Sequence, residues 1–316
     1  MVFPDTEDAA VEMDAERYRE IEAQYWHEVA GNLPDERVVR LEGLGTDVRL
    51  LEIGEGQPLL FIHGGPNAGS TWAPLVGELP GFRCIMIDRP GCGLSTPARN
   101  APKAVRRFMA DLVAALLVEV EPSPVGLVAS SFGSFAVLSH AVARPDTVPP
   151  TVHCGCPALV PGSKAPLRFL LQSVPGLRSV LLRLEPPNLK TAKATFRRIG
   201  HSKAMDAASI PEIGFHWYAA LLEHTRTREN DLALFGRVRP RDALSPSELG
   251  RVSSPMSFFW GSDDTFGGPE TARTLAEMIP GAGLELSNDS GHLPWMDTPA
   301  AAARHVQEFM ATATRS

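Results

Sequence analysis

Short apolar runs typical of buried strands alternate with helical patterns along most of this 316-residue sequence. The apolar runs predict strands at 37–41, 48–53, 58–62, 82–87, 125–129, 148–154, 255–260 and 283–286. Helical patterns at 103–120, 132–143, 269–278 and 299–312 lie between or after them. Such alternation favours an α/β fold, with a mostly parallel sheet covered by helices on both faces.

The first departure from this alternation is an acidic N-terminal segment, which carries eleven Asp or Glu residues and two Arg within residues 1–36. Between residues 14 and 30 apolar side chains recur at helical spacing, which predicts an amphipathic helix closed by Pro34. These side chains are Tyr18, Ile21, Tyr25, Trp26 and Val29. We therefore expect residues 1–36 to form a helical extension of the fold.

The second departure is a long helical stretch at residues 158–253, broken at several prolines. It carries fifteen Lys or Arg residues and eight Asp or Glu, so it is basic in an otherwise acidic chain. We expect it to be a helical subdomain inserted into a core formed by residues 37–157 and 254–316. The opposite charges leave three possibilities: solvated surfaces, an acidic N-terminal segment that packs against the basic insertion, or an insertion that attracts anionic substrates.

Composition excludes several classes of protein. The net charge is −7, which argues against nucleic acid as a partner. No run reaches the roughly 20 apolar residues needed to cross a bilayer, and the acidic start does not resemble a secretory signal, so we expect a cytoplasmic protein. The four cysteines lack the spacing of a zinc site and are expected to be reduced. We expect no metal and no cofactor; the oligomeric state stays open.

The strand predicted at 125–129 runs directly into a serine flanked by small residues. In the stretch 126–134, Ser131 follows Ala129 by two places and precedes Gly133 by two. A serine exposed on a tight strand-to-helix turn needs such small neighbours, because strand and helix approach closely there. The adjacent Ser130 does not meet this condition. Ser131 is therefore the candidate nucleophile.

A serine nucleophile needs a base and a carboxylate that orients the base. His292 follows Gly291 on the loop between the last predicted strand and the last helix. Asp263 and Asp264 follow the strand predicted at 255–260, at the sheet edge where open α/β folds place their ligands. We favour Asp264, because it lies further round the turn and can face the sheet edge. Asp289 is a third option, but it would have to fold back to reach His292.

A glycine turn follows the strand at 58–62, within the motif at residues 61–67. Two adjacent glycines let backbone N–H groups approach a substrate oxygen closely. The N–H groups of Gly65 and Phe132 are therefore the candidate oxyanion donors, and His63 is expected to brace the loop. A nucleotide site is disfavoured, because neither phosphate-binding glycine motif is present and the turn at 88–93 contains a proline.

Together these motifs resemble the α/β-hydrolase superfamily over nearly the whole chain from Arg37 onward. The resemblance rests on the motifs at 63–66, 88–95, 129–133, 261–264 and 291–292, in that order. It implies an eight-stranded sheet, a helical cap inserted after the sixth strand, and hydrolysis through an acyl-enzyme. A serine at residue 131 disfavours the epoxide hydrolases and haloalkane dehalogenases of the superfamily, which use an aspartate there.

The sequence therefore predicts a serine hydrolase that acts on small-molecule carboxylic esters, lactones or thioesters. Carbon–carbon bond hydrolysis, acyl transfer to an alcohol and perhydrolysis would use the same residues, and a ligand receptor could keep the same fold. Proline iminopeptidases have similar motifs but need acidic cap residues, for which Glu185, Glu212 and Glu223 are the candidates.

Aromatic side chains in the insertion and near His292 are candidates for a substrate pocket. They are Phe215, Trp217, Tyr218 and Trp295. We expect Trp217, Tyr218 and Trp295 in particular to line an acyl or alcohol site. The same spacing is equally typical of the apolar core of a helical cap.

Overall fold

The computed structural model of the protein describes residues 14–99, 104–164, 174 and 186–313. Its centre is an eight-stranded sheet with the order β1-β2-β4-β3-β5-β6-β7-β8. The strands are β1 (Asp35–Leu41), β2 (Thr46–Ile53), β3 (Gln57–Ile62), β4 (Phe82–Ile87), β5 (Gly126–Ser130), β6 (Thr151–Cys154), β7 (Met256–Gly261) and β8 (Gly283–Ser287). β2 pairs antiparallel with β1 and with β4, whereas β3 to β8 pair in parallel. The predicted α/β fold with a mostly parallel sheet is confirmed.

Helices cover both faces of this sheet. Within the described residues the α-helices are α1 (Ala15–Ala30), α2 (Ala73–Val76), α3 (Val105–Glu119), α4 (Ser131–Ala143), α5 (Leu189–Arg198), α6 (Ser202–Asp206), α7 (Glu212–His224), α8 (Thr227–Phe235), α9 (Pro246–Leu249), α10 (Pro269–Met278), α11 (Pro294–Asp297) and α12 (Pro299–Ala313). Helices α5 to α9 lie between β6 and β7. They belong to residues 158–253, which we call the insertion.

The strands bury side chains on both faces, as their continuous apolar sequences predict. In β3, Leu59 and Phe61 pack into one apolar cluster, together with residues of α1, α2 and α12. Leu60 and Ile62 pack into the other cluster, together with residues of α3, α4 and α10. The alternation follows from the two-residue period of a strand.

One predicted helix terminator and one predicted strand boundary are wrong, for identifiable reasons. Helix α1 ends at Ala30, because Gly31 adopts the left-handed conformation that terminates helices, so Pro34 is not what closes it. Strand β6 begins at Thr151 rather than at Val148. Pro149 and Pro150 precede it, and proline has no N–H group to donate to a neighbouring strand.

The N-terminal helix packs against the insertion through aromatic side chains rather than through opposite charges. Tyr25 of α1 stacks on Trp217 of α7, with ring centroids 4.9 Å apart. The indole nitrogen of Trp217 donates to the hydroxyl of Tyr18. The acidic residue of α1 that is buried, Glu22, pairs instead with Arg49 of β2.

Several sequence predictions concern residues outside the described part of the chain. They include the first 13 residues and most of the stretch 165–185, with Glu185. Within the described residues, no helix is long and apolar enough to cross a membrane. The four cysteines are buried and form no disulfide: Cys84, Cys92, Cys154 and Cys156.

Candidate active site

Ser131 is the first residue of α4 and follows β5 without an intervening loop. Its φ angle is +49°, in the left-handed region that residues other than glycine rarely adopt. The close packing around it explains the need for small neighbours: a Cβ atom on Gly133 would overlap the carbonyl oxygen of Ile62. This is the strained strand-to-helix turn that presents a serine hydroxyl at a sheet edge.

The loop after β3 lies directly beside this turn. Strands β4 and β5 flank β3 on opposite sides, so the order of the sheet reverses there, and ligands of such folds bind at that point. A Cβ atom on Gly64 would lie 2.7 Å from the Cβ of Ser131. The hydroxyl of Ser130 accepts a hydrogen bond from the N–H of Gly64 at 3.1 Å. Ser130 therefore joins the two loops, while Ser131 lines a cavity.

His292 lies on the loop after β8 and its side chain is paired with Asp264, which follows β7. The Nδ1 atom of His292 is 2.9 and 3.0 Å from the two carboxylate oxygens of Asp264. Both side chains are buried. The carboxylate also accepts from the N–H groups of Cys156 and Phe266, at 2.8 and 2.9 Å. Four contacts thus fix the carboxylate, which can hold Nδ1 protonated and leave Nε2 to act as a base.

Two further features shape the surroundings of His292. The ring of Phe266 stacks on the imidazole, with centroids 4.0 Å apart. Burial and the charge of Asp264 raise the pKa of the Cys156 thiol well above its usual value, so this thiol stays protonated. Cys156 therefore adds no second negative charge beside Asp264 and the imidazole of His292.

The other candidate carboxylates point away from His292. Asp263 and Asp289 both contact the ammonium group of Lys203, at 3.0 and 2.6 Å. This group of charges is exposed to solvent. The geometry therefore favours Asp264, the residue preferred on the sequence, over both alternatives.

A second, buried histidine–aspartate pair holds the loop that carries His292. His201, which precedes α6 of the insertion, has its Nδ1 atom 2.7 Å from the carboxylate of Asp297. Asp297 accepts from the N–H of Gly291 at 2.7 Å, and the Nε2 atom of His201 accepts from the N–H of Leu293. The N–H of His292 donates to the carbonyl of Ile199 at 2.9 Å. The insertion and Asp297 together thus fix the backbone on both sides of His292.

The two candidate oxyanion donors come from the loop after β3 and from the start of α4. Gly65 lines the same cavity as Ser131 and His292. Phe132 is the second residue of α4, so its N–H is among the first N–H groups of the helix, which have no acceptor within the helix. The positive end of the helix dipole also favours negative charge there. Both donors can therefore serve an oxygen that becomes negative.

The cavity that Ser131 and His292 share has a volume of about 30 Å³, room for about two water molecules. Its walls come from the core and from helices α5 and α7 of the insertion. The lining residues are Gly64, Gly65, Pro66, Asn67, Ser131, Thr195, Phe196, Ile199, Tyr218, Phe266, His292 and Leu293. None of these is a Lys, Arg, Asp or Glu, and burial raises the pKa of Tyr218, which stays neutral.

The aromatic residues predicted to bind substrate divide into two groups. Tyr218 lines the cavity, whereas Trp217, its neighbour on α7, faces the opposite way and stacks on Tyr25. Trp295 stacks on Trp72 and donates to the carbonyl of Thr71, within the core. The prediction that Trp217 and Trp295 line the pocket is therefore corrected. Both indoles stack on aromatic side chains of the apolar core and lie outside the cavity lining.

Phe215 also lies outside the cavity wall and packs edge-on against Phe196, which does line it. Sequence reasoning missed Phe196, as well as Phe266 and Asn67. Phe266 and Asn67 each lie within three residues of a predicted site residue, so proximity to the motifs could have found them. Phe196 is on α5, whose amphipathic pattern does not reveal which neighbour its apolar face meets.

A mostly parallel sheet with helices on both faces and a candidate site at the carboxyl ends of its strands is the architecture of a class of hydrolases. The family model described as "Alpha/beta hydrolase family" matches residues 59–305. The chain belongs to the α/β-hydrolase family.

Two curated relatives share most of their length with the chain. A 2-hydroxy-6-oxononadienedioate/2-hydroxy-6-oxononatrienedioate hydrolase of Cupriavidus pinatubonensis is 24% identical over 288 residues, which covers 87% of this chain and 94% of the relative. A pimeloyl-[acyl-carrier protein] methyl ester esterase of Chromobacterium violaceum is 26% identical over 259 residues, covering 82% and 93%. The relatives thus include both a hydrolase named for oxo-dienedioate substrates and a methyl ester esterase.

The fold is shared with solved hydrolase structures. The carboxylesterase CesB (YbfK) from Bacillus subtilis has a TM-score of 0.72 at 15% identity, with 94% of this chain and 98% of that chain covered. At this level of identity the likeness concerns the fold alone.

Proposed function

We propose that this α/β-hydrolase cleaves small, uncharged carboxylic esters through an acyl-enzyme, with lactones and thioesters as chemically equivalent substrates. The observation that carries the proposal is the shared cavity: Ser131, His292 and Gly65 all line it. In this proposal the insertion acts as the cap that completes the substrate site, because α5 and α7 supply part of the cavity wall.

The proposed chemistry follows from the groups at the cavity. The Oγ atom of Ser131 attacks the ester carbonyl while Nε2 of His292 takes its proton, and Asp264 stabilises the resulting imidazolium. The N–H groups of Gly65 and Phe132 hold the carbonyl oxygen as it becomes negative. His292 then protonates the departing alcohol. A water molecule, activated by the same imidazole, releases the acid from Ser131.

The character of the cavity wall supports an uncharged substrate. No described lining residue carries a positive charge that could pair with a substrate carboxylate. Burying an unpaired carboxylate costs several kcal/mol. The name of the Cupriavidus relative describes a substrate with two carboxylates. A neutral ester fits the described wall better than such a dicarboxylate, and the small cavity favours short acyl groups.

The peptidase alternative finds little support among the acidic residues of the insertion. Glu212 pairs with Lys193 on an exposed surface, and Glu223 is exposed as well. Neither lines the cavity. A free amino terminus would therefore have no carboxylate partner among the described lining residues.

A matched pair of substrates tests the proposal. Methyl butanoate and monomethyl succinate have similar lengths, but the second carries a carboxylate; methanol release is measured for each. We expect kcat/KM to be at least about 100-fold higher for methyl butanoate, which corresponds to about 2.7 kcal/mol of unpaired charge. Faster turnover of the charged ester, or of a 2-hydroxy-6-oxo-dienoate followed by its absorbance, would overturn the proposal.

A further inference from the structure

Arg89, which follows β4, has a buried guanidinium that contacts three polar groups. Its Nε donates to the carbonyl of His63 at 3.0 Å, and its Nη2 donates to the carbonyl of Gly64 at 2.9 Å. Nη2 also contacts the carboxylate of Asp231, on α8 of the insertion, at 2.7 Å. Arg89 thus connects the insertion to the loop that carries the candidate oxyanion donor.

The carbonyl of Gly64 accepts a second hydrogen bond, from His63. The Nε2 atom of His63 accepts from the N–H of Arg89 at 2.9 Å, so the proton of the neutral ring must lie on Nδ1. Nδ1 is 2.6 Å from the carbonyl of Gly64 and donates to it. Burial and the charge of Arg89 lower the pKa of His63 well below its usual value, which keeps the ring neutral.

These two donors act on the peptide group that joins Gly64 to Gly65. The group is planar, so a fixed carbonyl direction also fixes the direction of the N–H of Gly65. Hydrogen bonds to a carbonyl polarise its peptide group, and a charged donor does so more strongly than a neutral one. Arg89 therefore orients the N–H of Gly65 and strengthens it as a donor.

Asp231 determines where the guanidinium lies. It is buried together with Arg89, and a Cβ atom on Gly65 would overlap its carboxylate. Phe235, one turn further along α8, packs edge-on against the ring of Phe132, over which the guanidinium of Arg89 also lies at 5.6 Å. Helix α8 and Arg89 thus contact both candidate oxyanion residues.

We propose that Arg89 is a positioning residue for the oxyanion hole, and that Asp231 of the insertion holds Arg89 in its working position. The proposal rests on the proposed function. If Arg89 has this role, kcat depends in part on Asp231, a residue of the insertion that does not line the substrate cavity. Because the N–H of Gly65 binds the oxygen most strongly once it is negative, loss of Asp231 should lower kcat and leave KM nearly unchanged.

The test compares Asp231→Asn with the wild-type enzyme in two measurements. The first is kcat and KM for methyl butanoate. The second is the inhibition constant of butylboronic acid, to which Ser131 Oγ adds while its proton passes to His292, so that a boronate oxygen occupies the oxyanion position. We expect kcat and boronate affinity to fall together, by about tenfold or more.

Two further variants keep the test decisive. Asp242→Asn is the matched control, since Asp242 is also a buried aspartate of the insertion but accepts hydrogen bonds from the backbone N–H groups of Arg239 and Arg106, away from the cavity. Arg89→Lys is the second test variant, and it replaces Asp231→Asn if that protein fails to fold. It keeps the charge, but one ammonium group cannot reproduce the planar guanidinium's contacts, and we expect the same two losses.

The outcomes separate the two proposals. If the wild-type enzyme neither cleaves the ester nor binds the boronate, the proposed function fails. If it does both, and the folded Asp231→Asn and Arg89→Lys variants keep their kcat and boronate affinity, the role of Arg89 is overturned. A rise in KM at constant kcat, or a loss of kcat without loss of boronate affinity, overturns it too.

Discussion

At the scale of single residues, the site depends on side chains held by several contacts each. Asp264 contacts His292 and two backbone N–H groups, whereas Asp263, next to it in the chain, contacts Lys203 near the surface. Neighbours in sequence therefore have different roles, because the turn after β7 directs one inward and the other outward.

This difference predicts the effects of two matched substitutions. Asp264→Asn should lower kcat by about 10³-fold or more, since an amide cannot hold the Nδ1 proton of His292 in place as a carboxylate does. Asp263→Asn removes a partly exposed contact and should change kcat by about twofold at most. Ester hydrolysis by the two folded variants measures both effects. A larger loss in Asp263→Asn would reverse the assignment.

The residue scale also shows what the sequence can predict. Ser131, Asp264 and His292 could be proposed because each follows a predicted strand within a local motif. The pairing of Arg89 with Asp231 could not, because 142 residues separate them and no local pattern connects them. The motif around Arg89 contributes to the family resemblance and lacks the pattern of a phosphate site, but it indicates no role for Arg89 itself.

At the scale of elements, helix α7 presents different faces to the site and to α1. Tyr218 lines the cavity, while Trp217 stacks on Tyr25. The helical pattern of α7 could be predicted, since it follows from local spacing. Which aromatic side chain meets which neighbour depends on contacts with helices far away in the chain, and the sequence does not specify them.

The two faces of α7 predict separable effects on acyl preference and on stability. Tyr218→Ala enlarges the cavity, so kcat/KM for p-nitrophenyl octanoate should rise relative to the butyrate. Trp217→Phe should leave that ratio unchanged and lower the free energy of unfolding by about 1–3 kcal/mol, because stacking area is lost. Esterase kinetics and urea unfolding measure the two effects. An equal change of acyl preference in both variants would contradict this account of α7.

The boundaries of strands and helices also show how far local sequence patterns predict the structure. β4 and α10 span the predicted residues, since their patterns are uninterrupted. Pro149 and Pro150 shorten β6, and the left-handed Gly31 ends α1 before Pro34. Glycine and proline were the informative residues in both cases, but their exact effect depends on backbone geometry.

At the scale of the whole molecule, helix α1 joins the insertion to the sheet. Glu22 forms a buried ion pair with Arg49 at 2.6 Å and accepts from the hydroxyl of Ser70 at 2.6 Å. Ser70 accepts in turn from the indole of Trp26. Together with the stacking against α7, these contacts make α1 part of the folded core rather than a peripheral extension.

Removing one charge of this pair should destabilise the whole protein. Glu22→Gln removes one of three carboxylates around the buried Arg49 and leaves Glu36 at 2.8 Å and Asp88 at 3.4 Å. Because charge-assisted hydrogen bonds to Glu22 are lost, the free energy of unfolding should fall by about 1.5–3 kcal/mol. Glu20→Gln, on the same helix, affects an exposed pair with Arg17 and should cost about 0.5 kcal/mol or less. Denaturant unfolding of both variants is the measurement. Equal stabilities would show that α1 does not support the core.

The central claim is that Ser131 is the nucleophile of an ester hydrolase, and it is tested most directly by p-nitrophenyl butyrate hydrolysis in wild-type and Ser131→Ala proteins. Ser139→Ala is the control, because Ser139 lies on the same helix, buried and without a hydrogen-bond partner among the described residues. We expect Ser131→Ala to lose at least about 10³-fold in turnover with an unchanged circular dichroism spectrum, and Ser139→Ala to stay within about twofold. A folded Ser131→Ala protein with near wild-type turnover would contradict the account.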